Sequence, residues 1–179
     1  KPYVSGTGSP MYYASRIAKK KYPEAKVVFI GPCIAKRKEA QRDECVDYVM
    51  TFEELHSVFR GLGIELAQAN PYKVAYESVC EAHGFAQAGG VAGAVKSYLG
   101  PKADGIKMLQ FSDFNKKSIG QMRAWAKTGK VDAQFIEMMA CEGGCVTGPS
   151  AYNDSVSGKR QLNQDLLKRT LKYENYKEE

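Results

Sequence analysis

Short apolar runs along this chain alternate with stretches in which apolar residues recur every three to four positions, which predicts strands alternating with helices. Lys26 to Ile30 is an apolar strand, Val46 to Met50 a shorter one, Ile106 to Phe111 keeps a strand's rhythm, and Ala133 to Met139 is the last strong strand. Ser9-Pro10, a hydroxyl cap followed by a proline in the first turn, opens a helix with Met11, Ala14, Ile17 and Ala18 apolar, ended by Tyr22-Pro23. Ile34 to Gln41 reads as a short helix. Thr51 and Glu54 form a capping box for a helix reaching Leu62, with Phe52, Leu55, Val58, Phe59 and Leu62 as its stripe. Val91 to Leu99 and Asn115 to Lys127 are further helices. Gly63 to Cys80 has weak periodicity and reads mostly as loop, as does the polar stretch Ala151 to Arg160, before a basic amphipathic helix marked by Leu162, Leu166, Leu167 and Leu171 and an acidic tail. The order predicts an α/β fold with a mostly parallel sheet flanked by helices. Residues 1–160 are expected to form the α/β domain and 161–179 a C-terminal helix and tail.

Composition narrows the function classes. With 179 residues and 44% hydrophobic content the chain can build a core of ordinary size. No apolar run approaches the roughly 18 residues of a membrane span, and no secretory signal is visible. The net charge of +6 comes from Lys and Arg scattered along helices and interleaved with Glu, the pattern of a solvated surface; neither nucleic acid nor membrane is the expected partner. Five cysteines, an odd number at irregular spacing, argue against a secreted disulfide framework and for a reducing cytoplasm. The chain opens at Lys1-Pro2 without an initiator Met, which raises the expectation that it is a piece of something larger.

Candidate chemistry gathers in two turns. Cys141-Glu142-Gly143-Gly144-Cys145 follows the apolar strand ending at Met138-Met139, and Gly31-Pro32-Cys33 follows Val28-Phe29-Ile30. Both turns fall at predicted C-terminal strand ends, where α/β sheets put their sites, so one sheet edge could gather Cys33, Cys141 and Cys145. A soft metal or an iron–sulfur cluster suits such thiolates; the bland alternative is three small buried hydrophobes. Structural zinc fits less well, because it wants four ligands and usually a C-x2-C knuckle, whereas this chain offers C-x3-C and one distant thiol. A Cys141–Cys145 disulfide is a further alternative. Cys45 and Cys80 lack this setting and read as packing residues, and His56 and His83 as boundary or surface residues. In the helix after Cys33, Lys36 and Glu39 fall three apart on one face. The small first turn of the Val91 helix could pack closely on a sheet or point its N–H groups at an anion.

Gly31-Pro32-Cys33-Ile34-Ala35-Lys36-Arg37-Lys38-Glu39-Ala40 resembles the second, and Met139-Ala140-Cys141-Glu142-Gly143-Gly144-Cys145 the third, of the cysteine motifs in the C-terminal domain of the large chain of iron-only ([FeFe]) hydrogenases. Val46 to Thr51 and Phe85 to Val91 are similar to that family's connecting segments, and the resemblance runs in consistent order from about residue 3 to 150. It implies a [4Fe-4S] cluster held by Cys33, Cys141 and Cys145 with a fourth cysteine, Cys145 also bridging to a two-iron subcluster. It implies too that Lys36 hydrogen-bonds an iron-bound cyanide beside Glu39, the alternative for Glu39 being a plain ion pair with Lys36. Pro32 belongs to the cofactor-binding motif, and Phe85 and Met139 would wall the cluster.

The family's first motif, with its own cluster cysteine and a proton-transferring thiol, would belong to an upstream segment of a parent chain. The isolated chain is therefore expected to be inactive and to hold iron poorly. Gly31 stands where the second motif usually has Met, Glu142 where the third usually has Pro, and Gly148-Pro149 replaces a Gly-rich continuation. Those departures resemble divergent, sensory branches more than prototypical hydrogen producers. The resemblance thus implies a parent catalysing 2H⁺ + 2e⁻ ⇌ H2, with a redox or hydrogen sensor, or a cytosolic iron–sulfur assembly relative, as alternatives. Its partners would be the upstream segment and a ferredoxin or signalling domain.

Overall fold

The computed structural model describes residues 3–44, 46–72 and 78–175. The chain divides into two compact units, the first formed by residues 1–70 with 149–152 and the second by 71–148 with 153–179. Cys45, expected to be a packing residue, and the end of the acidic tail lie outside the described residues.

The first unit is a strand–helix–strand piece between two further helices. Helix α1 (Pro10–Lys21) starts as its cap predicts, with the Ser9 hydroxyl accepting from the Tyr12 N–H. Its inward face is Met11 and Ser15 rather than the expected aliphatic stripe: Ile17 is 68% exposed. Ser15 gives its hydroxyl to the Tyr12 carbonyl, which lets a polar residue sit where an apolar one was expected. Strand β1 (Val28–Ile30) pairs in parallel with β2 (Tyr48–Met50), in the register Phe29 to Val49. Helix α2 (Ala35–Asp43) makes the crossover that a parallel pair requires. Phe29 and Val49 turn toward Met11 and Val46, the centre of this unit's small core, while Val28 and Ile30 on the other face are exposed. Asp47 clamps the strand entrance. It accepts from the Val27 N–H and pairs with Lys19 and Lys26, contacts that hold its carboxyl well below the usual range. Helix α3 (Phe52–Gly61) carries the predicted capping box, Thr51 and Glu54 each bonding the other's backbone N–H.

The second unit repeats the plan. Helix α4 (Cys80–Gly84) leads into α5 (Gly90–Leu99), strand β3 (Met108–Phe111) pairs in parallel with β4 (Phe135–Met138), and α6 (Lys116–Thr128) is the crossover. Asn115 caps α6, and Gly129 ends it in the left-handed conformation favoured at helix C-termini. The architecture is therefore α/β and helix-rich, and the strand pairing is parallel as expected. Among the described residues, though, the strands form two separate two-stranded sheets rather than one, each strand shorter than its apolar run.

The end of the chain corrects another expectation. Helix α7 (Ser155–Lys168) begins inside the stretch read as loop, because the Asp154 carboxylate accepts from the Val156 and Ser157 N–H groups. Gly158 also lies against Val146, so contact with the rest of the unit outweighs the weak helix preference of these residues. Leu162 and Leu166 turn inward, whereas Leu167 is 87% exposed. Among the described residues no helix is long and apolar enough to cross a membrane.

Candidate functional site

Cys33 follows β1 directly. The Gly31 N–H donates to the Met50 carbonyl, extending the β1–β2 pairing by one step, and the chain turns at Pro32. The Cys33 carbonyl accepts from the Lys36 N–H at 3.2 Å, which begins the first turn of α2. Cys33 carries a free, half-buried thiol. The Pro32 carbonyl receives the Ser150 N–H at 3.2 Å, so the turn that presents Cys33 is held from both sides. Gly31 occupies the position where the motif usually has Met. A Cβ there would stand 3.0 Å from the Phe29 ring, so a side chain at this position needs that ring to give by a few tenths of an ångström.

One turn on, the Lys36 ammonium lies 2.5 Å from one oxygen of the Glu39 carboxylate, and the Ser9 hydroxyl donates to the other. The i,i+3 pair foreseen as the plain alternative for Glu39 is thus formed, with both side chains about one-fifth exposed. Burial pushes the Glu39 carboxyl up. The hydrogen bonds from Lys36 and Ser9 and the Lys36 charge together outweigh it, so the group ionises below its ordinary range. Ser9 therefore has two tasks, capping α1 and fixing Glu39, and only the first was visible from its neighbours in the chain.

In the second unit the cysteine loop leaves β4 through Met139, whose N–H donates to the Phe111 carbonyl at 2.7 Å. Cys141 to Gly144 is a β-turn closed by the Gly144 N–H on the Cys141 carbonyl at 3.1 Å. Gly143 at φ +82° and Gly144 at φ +101° take conformations that side chains disfavour. Cys145 to Thr147 follow as a single 3-10 turn, and the Thr147 hydroxyl reaches back to the carbonyls of Glu142 and Gly144. Cys141 has a free, half-buried thiol, and Cys145 is exposed.

Phe85 to Gly90 forms the loop's bed. The Ala88 N–H donates to the Gly143 carbonyl at 3.1 Å and the Val146 N–H to the Ala86 carbonyl at 2.8 Å. A Cβ on Gly144 would lie 2.6 Å from the Ala88 nitrogen and 2.7 Å from the Gln87 Cα, so the backbones meet where only glycine fits. Phe85 and Met139 are half-buried. Lys159 of α7 folds its ammonium over Gly143.

Glu137 was not foreseen. It is 6% exposed in an otherwise apolar strand, and its carboxylate accepts from the Gly89 and Ala92 N–H groups at 2.8 Å each. The first turn of α5 does point its N–H groups at an anion, and the anion is this side chain. A carboxylate inside an apolar run was the available signal, since a buried charge demands partners.

The remaining candidates have ordinary partners. His56 meets the Tyr152 hydroxyl, and His83 meets that of Ser78 at 2.5 Å. His83 lies in α4 rather than in a loop; burial first, then the Arg169 charge, lowers its pKa. The Cys80 thiol donates to the Leu166 carbonyl. Within either unit, among the described residues, no three His, Cys, Asp or Glu side chains converge as a metal site. The site residues are therefore distributed as Pro32, Cys33, Lys36 and Glu39 in the first unit and Phe85, Met139, Cys141 and Cys145 in the second.

The sequence model of the family described as "Iron only hydrogenase large subunit, C-terminal domain" matches residues 1–149. The fold is similar to a structure of an [FeFe]-hydrogenase studied for oxygen inactivation and degradation of its H-cluster two-iron subcluster. That similarity has a TM-score of 0.63 at 20% identity and covers 97% of this chain and 63% of the other. It is similar also to a structure showing stepwise H-cluster assembly in an [FeFe]-hydrogenase, with a TM-score of 0.61 at 20% identity over 97% of this chain and 61% of that one. A glutamate-to-glutamine variant of the Chlamydomonas reinhardtii [FeFe]-hydrogenase matches with a TM-score of 0.61 at 20% identity, over 96% of this chain and 62% of the other. The chain thus spans a little over three-fifths of the length of these structures.

Proposed function

The chain belongs to the family formed by the C-terminal domain of iron-only hydrogenase large subunits, and from that premise we propose that it supplies the thiolates of Cys33, Cys141 and Cys145 to an H-cluster-type centre. The observation that carries the proposal is the Ser150–Pro32 hydrogen bond. That bond pins the turn that presents Cys33 within the first unit, as the bonds to Ala86 and Ala88 pin the Cys141–Cys145 loop within the second, so each thiol-bearing turn is held in a fixed shape.

The donor set fits a [4Fe-4S] cluster, for which soft thiolates in tight, glycine-bearing turns are the expected ligands. A fourth cysteine would come from an upstream segment of the parent chain, and Cys145, the exposed member, would also bridge to the two-iron subcluster. When bound, the centre supplies the redox chemistry of 2H⁺ + 2e⁻ ⇌ H2. The chain's own residues orient and shield. An ammonium has three N–H donors and Glu39 takes one, which fixes the Lys36 side chain with donors to spare for an anionic ligand such as cyanide. Pro32 shapes the Cys33 turn. Phe85 and Met139 exclude water from the thiolates and so help set the potential.

The free thiols of Cys33 and Cys141 suit a reducing cytoplasm, and a ferredoxin or a signalling domain would exchange electrons or state with the parent. Lys19, Lys26 and Arg37 are each paired with a carboxylate, which favours a solvated surface over a nucleic-acid patch. A hydrogen or redox sensor is the second reading. It is favoured by Gly31, which stands where the motif usually has Met and where a Cβ would press on the Phe29 ring at 3.0 Å. The test is hydrogen uptake by the matured full-length parent against its Cys145→Ala variant. Loss of uptake is expected, and a variant with full activity overturns the bridging assignment.

A further inference from the structure

Glu137 is the one carboxylate among the described residues that is buried, and the chemistry proposed above does not use it. Its position in the chain gives it a different task. It lies in β4, four residues before Cys141, and reaches across to an element some forty-five residues earlier, one oxygen on the Gly89 N–H and the other on the Ala92 N–H. Those two amides open α5. They belong to the first-turn donors that a helix cannot satisfy within itself, so the carboxylate satisfies groups that would otherwise be buried without a partner.

The same contact fixes the bed of the cysteine loop. Gly89 is the last residue but one of the segment Phe85 to Gly90, and the loop is bonded to that segment at two points, through Ala88 to Gly143 and through Val146 to Ala86. At Gly144 the two backbones are too close for any side chain between them. A loop held this tightly follows its bed. We infer that Glu137 is a positioning residue for the Cys141–Cys145 loop: it locks the α5 end of the bed to the strand from which the loop departs, and thereby fixes where the Cys141 thiol stands.

The inference rests on the proposed function only for the use made of that thiol, and the effect can be read without iron. The decisive variant is Glu137→Gln, which keeps the size of the side chain but turns one acceptor into a donor that faces an N–H group. In the metal-free 179-residue chain, two rates are measured. One is alkylation of each cysteine by N-ethylmaleimide, resolved by mass spectrometry; the other is amide exchange at Ala88 and Val146. Loss of one buried charge-assisted hydrogen bond should speed labelling of Cys141 and exchange at both amides by about tenfold. Cys80, half-buried in the same unit but bonded to Leu166, should keep its rate. If Glu137→Gln does not fold, Glu137→Asp serves instead: it keeps both oxygens, set back by one methylene, and should move the same three sites by a smaller factor.

Parallel acceleration of Cys80 and Cys141 would show general loosening and overturn the role, as would unchanged rates at all sites. A further readout separates this inference from the one before it. After reconstitution with iron and sulfide, the variant's cluster should show an altered midpoint potential. If the wild-type chain, given a small thiol as fourth ligand, takes up no iron while Glu137→Gln still frees Cys141 selectively, the proposed function fails and the positioning role stands. If iron binds and both the potential and the Cys141 rate match wild type, the positioning role fails alone.

Discussion

The Lys36 ammonium stands 2.5 Å from the Glu39 carboxylate, one helical turn after the candidate ligand Cys33. Because the carboxyl's ordinary value is 4.5 and the folded value lies lower, the unfolded chain binds more protons in the interval between them. The group's contribution to stability is therefore complete above about pH 4.5 and is lost as pH falls through the folded pKa. Urea titrations from neutral to acid pH should show wild type and Glu39→Gln converging across that window. Lys36→Met should move the Glu39 pKa upward in a carbon-13 titration; no movement would mean that the pair is not populated in solution.

Gly144→Ala should be among the most damaging single changes in the second unit. The residue holds φ +101°, and a Cβ would strike the backbone of Gln87 and Ala88 rather than a side chain that can swing away. Strain of this kind costs roughly 1–3 kcal/mol before the clash is counted. Denaturation monitored at Trp125 should show at least that loss, accompanied by faster exchange at Ala88.

Ser150→Pro removes the N–H that the Pro32 carbonyl receives, and should cost about 1 kcal/mol as an ordinary hydrogen bond. Its specific effect should be faster alkylation of Cys33, with Cys80 unchanged. Equal rates at Cys33 before and after the substitution would mean that this bond does not hold the Cys33 turn.

Lys159 places a cation over Gly143, inside the turn between the two cysteines of the loop. A nearby positive charge stabilises the more reduced, more negative state of a cluster. Lys159→Met should therefore lower the midpoint potential of a reconstituted centre, whereas Lys159→Arg should preserve it. Protein-film voltammetry reads the difference directly.

Local chemistry made much of this chain legible before its structure. Ser9-Pro10 and the Thr51–Glu54 box each act within a few residues, so their helices begin where the residues say. The strand–helix–strand order was legible for the same reason. The division of the strands between two short sheets was not, because an apolar run such as Lys26 to Ile30 states how much backbone can extend but not how many neighbours it will find. Tertiary contacts decided the rest. Helix α7 starts at Ser155 under the Asp154 cap with Gly158 resting on Val146, and Ile17 is exposed while Ser15 takes the inward place. At the candidate site the two glycine-bearing cysteine turns could be picked out by composition and position. The partners Ser9 for Glu39 and Gly89 for Glu137 could not, since each pair is separated by tens of residues.

Cys33, Cys141 and Cys145, and not Cys80, are the iron ligands we propose for this chain. Anaerobic reconstitution with iron and sulfide, in the presence of a small thiol to stand in for the fourth ligand, tests it most directly, read by iron analysis and Mössbauer spectroscopy. Wild type and Cys80→Ala should each take up about four irons per chain, and Cys33→Ala, Cys141→Ala and Cys145→Ala should each lose the cluster signature. Equal iron uptake by wild type and a variant lacking all three of those cysteines would show that they do not hold the iron.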